Sequence, residues 1–151
     1  NIVNQQAIEL VKDLGFSKIY LSYELDLTQI KLLDLNKIET NIGIPIYGKM
    51  DVMVFKHCMI AKSKGYIKKS CRKCLNNNYF LEDEYHNKFE LFPNPIDDCT
   101  SRLINYKPID LIDQIDVLKK EGINLYLLTF TTEKADEVEK ILKRIKVKQC
   151  N

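Results

Sequence analysis

The sequence predicts an α/β fold in which parallel strands alternate with helices, as in a partial (β/α)8 barrel, and three observations predict it. Short segments rich in strand formers alternate with segments whose apolar residues recur at helical spacing. The strand segments are apolar throughout, the pattern of strands covered on both faces. About four such strand-and-helix units fit into the 151 residues, against the roughly 250 residues that a complete eight-fold barrel takes.

The first unit opens with a helix from about Asn4 to Leu14. Asn4 is its cap, Ala7, Ile8, Val11 and Leu14 form its apolar stripe, and Gly15 is its stop. Lys18 to Ser22 is a short strand, and Leu27 to Leu35, after Asp26, has helical character again. The next strand spans Ile44 to Phe55, with Gly48 marking a bulge or a close approach of backbone. Residues 56–100 break the rhythm: a basic run, three asparagines in a row, and two alternating segments, Tyr79 to Asp83 and Lys88 to Phe92, around a polar tip at His86-Asn87 that suggests a hairpin. Alternation resumes with a strand near Arg102 to Tyr106 and a helix from Leu111 to Glu121, with Asp110 as cap and Gly122 as stop. Asn124 to Phe130 is the last strand. Ala135, Val138, Ile141, Leu142 and Ile145 stripe a final helix capped near Thr131 or Thr132. The chain reads as one domain, 1–151, with a cysteine-bearing insertion at about 56–100.

Composition narrows the function. A chain that is 45% hydrophobic and 29% charged, with no apolar run near the roughly 18 residues needed to span a bilayer, is expected to be soluble, with no membrane partner. The chain opens on Asn1 and shows no export signal, so it reads as a cytoplasmic piece of a longer protein. A formal charge of +2 predicts no strong electrostatic footprint, and 20 lysines against three arginines, with abundant Ile and Asn, match an AT-rich coding bias.

The cysteines carry the chemistry. Cys58, Cys71, Cys74 and Cys99 follow the pattern C-x12-C-x2-C-x24-C, and Cys150 lies apart near the end. In a reducing compartment grouped cysteines more often hold metal than pair as disulfides. The two-residue spacing of Cys71 and Cys74 lets adjacent thiolates share one centre, and Cys58 and Cys99 close the set once the chain folds back. Four thiolates suit either a closed zinc site or a 4Fe-4S cluster. The plainer alternative is that Cys58 packs as a small hydrophobe.

Residues just past the C-terminal ends of barrel strands face the active site, which selects Glu24, Lys49, Asn105 and Thr131 as substrate candidates; helix-end, capping and solvated roles compete for each. The basic run of Lys62, Lys64, Lys68, Lys69, Arg72 and Lys73, with Tyr66 among them, suits either an RNA backbone or a solvated loop. For a peptidase there are only two histidines, His57 and His86, with no His-Glu-x-x-His motif and no local serine nucleophile signature. His57 and Cys58 are adjacent, and adjacent residues on a strand point to opposite faces.

Tyr47-Gly48-Lys49, Met53, His57-Cys58, Cys71-Arg72-Lys73-Cys74, Tyr79 to Asp83, Phe89 to Phe92, Cys99, and Leu103-Ile104-Asn105-Tyr106-Lys107-Pro108 together resemble the collagenase-like peptidase family U32. The resemblance runs from about Gly15 to Ile141. It is nearest to the long members, whose characterised relatives hydroxylate ribosomal RNA. It implies a (β/α)8-type barrel of which this chain is the C-terminal half, and a 4Fe-4S cluster on Cys58, Cys71, Cys74 and Cys99. Two departures stand out: Thr129-Phe130-Thr131-Thr132-Glu133 replaces a basic and acidic motif of shorter members, and Tyr47-Gly48 stands where His-Gly is frequent.

The leading expectation is therefore an iron-sulfur protein that supports hydroxylation of an RNA base. The alternatives are a peptidase, as the family's label says, and a non-catalytic binding module stapled by zinc. The expected partners are RNA and the remainder of the full-length chain. The piece alone is expected to be inactive and to oligomerise through open sheet edges.

Overall fold

A computed structural model of the chain describes residues 2–65, 73–94 and 99–149. In chain order its elements are α1 (Gln5–Asp13), β1 (Lys18–Tyr20), α2 (Leu27–Lys31), β2 (Asn41–Gly48), β3 (Asp51–Phe55), α3 (Met59–Lys64), β4 (Tyr79–Glu82), β5 (Lys88–Asn94), β6 (Thr100–Ile104), β7 (Ile109–Asp110), α4 (Ile115–Lys120), β8 (Leu125–Thr129) and α5 (Ala135–Gln149). Short 3-10 turns lie at Leu35–Lys37, Lys73–Asn76 and Ile112–Gln114. The chain divides into two compact units, one made of Asn1–Gly48 with Ile109–Asn151 and the other of Lys49–Pro108.

The first unit is built on β2. Its Ile42, Ile44 and Ile46 are fully buried, because helices and neighbouring strands cover both faces. β8 runs parallel to it on one side, from Gly43↔Leu125 to Gly48↔Thr129. On the other side β1 pairs parallel with its start and β7 antiparallel with its end. Pro45 has no N–H to give to a ladder, and the β2–β8 register shifts between Pro45 and Tyr47. Gly43 is needed where β1, β2 and β8 meet: a Cβ there would lie 2.6 Å from the Tyr20 ring and 2.9 Å from Leu125 Cβ.

Local signals set the helix ends. The Asn4 side chain accepts the Ala7 N–H at 2.8 Å, and Gly15 follows α1 with φ +89°. Asp26 and Gln29 form a reciprocal capping box on α2. That helix stops at Lys31, short of the expected Leu35, and Asp34 turns through a left-handed φ of 46° into the following 3-10 turn. The helix expected from Leu111 starts as a 3-10 turn instead, with the Asp110 carboxylate accepting the Ile112 N–H at 3.3 Å. Ahead of α5, carboxylates gather the backbone donors of residues 131–134. The Thr131 and Thr132 N–H groups donate to the Glu133 carboxylate, and the Lys134 N–H to Glu137.

The second unit departs most from expectation. The single strand expected from Ile44 to Phe55 is two strands: Gly48, at φ 144°, ends β2, and β3 belongs to another sheet. The strand expected near Arg102 to Tyr106 is β6, and it runs antiparallel between β3 and β5 rather than as a parallel barrel strand. β4 and β5 pair antiparallel around Asp83–Asn87, completing a four-stranded sheet ordered β3-β6-β5-β4. Its small core is Ile60, Cys74, Leu91 and Leu103, with Phe55, Cys58, Met59, Tyr79, Leu81 and Phe89 packed around it. Both sheets are open, and no closed barrel forms among the described residues. No helix among them is long and apolar enough to cross a membrane.

Candidate metal centre

The antiparallel sheet gathers its cysteines at one end. β3 ends at Phe55, which stands opposite Ser101 near the start of β6, and β5 ends at Asn94 opposite Thr100. β4 starts at Tyr79, opposite Leu91 in the last turn of residues before that same end of β5. Cys58 follows β3, Cys74 precedes β4 in a 3-10 turn, and Cys99 immediately precedes β6. All three are therefore carried by connections at the same end of the sheet.

Their surroundings differ. Cys58 caps α3 in extended backbone, and its Sγ accepts the Ala61 N–H at 3.3 Å. It is half-buried against the cluster that contains Cys74, which is buried. Cys99 is half-buried with φ +58°, a left-handed conformation that costs a residue with a Cβ roughly 1 kcal/mol and recurs at binding sites. Its carbonyl accepts the Ser101 hydroxyl at 3.4 Å. Among the described residues no group of three or more His, Cys, Asp or Glu side chains is assembled to hold a metal ion. Cys71 lies outside the described residues, so that statement covers three of the four expected ligands. The donors present are soft sulfurs beside apolar side chains, which fits zinc or an iron-sulfur cluster and not a hard cation.

The remaining predicted residues fall two by two. Glu24 and Thr131 follow β1 and β8, which flank β2 in the first unit. Glu24 donates its N–H to Ser22 Oγ at 3.3 Å. Lys49 and Asn105 belong to the second unit, where Asn105 N–H donates to the carbonyl of Met50, next to Lys49, at 2.9 Å. Of the basic run, Lys62 and Lys64 are exposed on α3; Tyr66, Lys68, Lys69 and Arg72 lie outside the described residues, as does Cys150.

Sequence reasoning missed a polar pair at the C-terminal edge of the parallel strands. Tyr47, 7% exposed, donates to Glu133 Oε1 at 3.5 Å, with the Phe130 ring 5.6 Å away. Glu133 Oε2 accepts from Thr131 N at 2.7 Å and Thr132 N at 3.1 Å. Burial pushes the Tyr47 phenol above its ordinary range, and the charges of Glu133 and Asp110 push it further. The pair thus offers a protonated donor and an anchored acceptor. The only signal for it was the Thr-Thr-Glu run itself, whose carboxylate follows its donors too closely to resemble a helix cap.

The structure thus defines a mixed α/β protein with two open sheets, one of them antiparallel with Cys58, Cys74 and Cys99 on the connections at one end. The sequence profile of peptidase family U32 matches residues 1–146, and the chain belongs to that family. Comparison with curated proteins and with solved structures gave no match.

Proposed function

We propose that this U32-family chain is the cluster-bearing C-terminal barrel half of a longer cytoplasmic protein that supports hydroxylation of an RNA base. Cys58, Cys71, Cys74 and Cys99 are the ligands of a 4Fe-4S cluster. The observation that carries the reading is the placement of Cys58, Cys74 and Cys99 at one end of one sheet. When bound, the cluster would supply one-electron redox capacity.

The chain's own residues have separable parts in this reading. Cys58 and Cys74 hold the centre against the apolar cluster. Lys62 and Lys64, directly after Cys58 on α3, offer charge to a phosphate backbone. β1, β2 and β8 are barrel strands, and their C-terminal edge presents Glu24, Thr131 and the Tyr47–Glu133 pair to the base. Lys49 and Asn105 are further substrate contacts.

Zinc at the same cysteines is the second reading, and the size of the core favours it. Among the described residues the apolar cluster of the sheet is small, and small units gain stability from a structural metal. Anaerobic purification of the full-length protein separates the two. A cluster gives a brown protein with broad visible absorption bleached by reductant, whereas filled-shell zinc gives none. Single replacement of Cys58, Cys71, Cys74 or Cys99 by Ser weakens the colour, and Cys150→Ser leaves it. A full-length protein that stays colourless after reconstitution with iron and sulfide overturns the cluster assignment. Assays on undermodified ribosomal RNA and on a collagen peptide then test the substrate. Peptide turnover that survives loss of all four cysteines would favour the peptidase that the family's label implies.

A further inference from the structure

Strand β3 is the outermost strand of the antiparallel sheet, bonded to β6 on one side and to no strand on the other among the described residues. Edge strands ordinarily carry charge, proline or a covering element, because their free N–H and C=O groups recruit other strands. β3 carries Val52, Met53 and Val54 in succession, 48%, 55% and 60% exposed. Met53 stands opposite Leu103, on the side of the apolar cluster, and Val54 opposite Arg102, on the other. Apolar surface is thus open on both sides of one strand. A helix or a small apolar ligand covers one side only. Another strand extends both faces and also takes up the free backbone groups.

The geometry points to β3 of a second copy of this chain as that strand, paired antiparallel about a two-fold axis perpendicular to the sheet. Such an axis maps each face onto itself, so residues that meet across it share a face. The regular stretch Met53–Phe55, beyond the bulge at Asp51, satisfies this when the axis passes Val54. Val54 then meets its own copy, a β-branched pair. Met53 meets Phe55, a sulfur-aromatic pair. The same antiparallel sense brings the Asp51 end of each strand beside the Lys56-His57 end of the other, whereas parallel pairing sets like ends together. Asp51 keeps its ion pair with Arg102, at 3.3 Å, since a carboxylate accepts from several donors. Moving the axis to Met53 sets the Asp51 carboxylate near Phe55; moving it to Phe55 sets Met53 against His57.

Sedimentation of the chain over a range of concentrations tests this. The expected result is a reversible dimer that Val54→Lys converts to monomer while the circular dichroism stays unchanged. Val54→Cys gives a register readout: under mild oxidation the introduced thiols cross-link chain to chain through position 54, while the exposed tip variant Tyr85→Cys does not. A monomer at every concentration overturns the proposal, including one in which another segment of a longer chain covers β3. So does a dimer indifferent to Val54→Lys with no cross-link at position 54, or an open-ended polymer, which would mean β3 pairs with a different edge.

Discussion

The Asp83 carboxylate gathers three donors at the tip of the β4–β5 hairpin. It accepts from Tyr85 N and Asn87 N, each at 2.9 Å, and from Asn87 Nδ2 at 2.8 Å. These bonds, the Asn87 side chain first, hold its pKa below the ordinary 3.8. A lowered carboxylate pKa contributes stability that is whole above the unfolded value and is lost as pH falls through the folded one. Amide exchange at Tyr85 and Asn87 should therefore stay slow through mild acid and quicken only below the normal carboxylate range, and Asp83→Asn should remove that pH dependence. Tyr47 gives the opposite sign. Its raised pKa favours the neutral phenol, so its contribution is whole below 10.0 and is lost as pH rises through the folded value. Tyrosinate absorbance should show Tyr47 and Tyr126 titrating late. Glu133→Gln should return Tyr47 toward its usual range and leave Tyr126 alone, because burial and then Asp116 act on Tyr126.

Among the elements, the crowding at Gly43 gives a prediction of stability. Gly43→Ala should cost about 1–3 kcal/mol, since the Tyr20 ring can swing away but Leu125 Cβ is fixed by its strand. Calorimetry should read this as a fall in Tm of roughly 2–4 °C per kcal/mol. Arg144 on α5 binds Asp110 at 2.6 Å and Asp113 at 3.1 Å, but it is 41% exposed, so water screens both pairs. Arg144→Met should cost below about 1 kcal/mol, and less in high salt. The elements of the first unit were largely legible because caps, stops and apolar runs are local. Asn4, Asp26, Gly15 and the isoleucines of β2 act within a few residues of themselves. The partners of β3 and β6 were not legible, since an apolar run such as Asp51 to Phe55 reads alike in a parallel and an antiparallel sheet. Of the site, the cysteine spacing could be read directly. The Tyr47–Glu133 pair joins residues 86 apart in sequence, and no spacing rule reaches that far.

At the scale of the molecule, the antiparallel unit is inserted in sequence between β2 and β7, two paired strands of the first unit. Gly48 and Ile109, on either side of the insertion, stand opposite each other across β2 and β7. Replacing residues 49–108 by a short glycine-rich turn should therefore leave the first unit folded, with its far-ultraviolet dichroism retained and any metal-dependent colour abolished. The same discontinuity orders events on the ribosome. The second unit is one unbroken stretch of chain and has all its strands once Pro108 has emerged. β2 must wait for Leu125–Thr129 before it can pair with β8. At the roughly 5–20 residues per second of synthesis, that leaves its isoleucines without their covering strand for several seconds. The nascent chain therefore has the strands of its antiparallel sheet complete before the parallel sheet can acquire its last member.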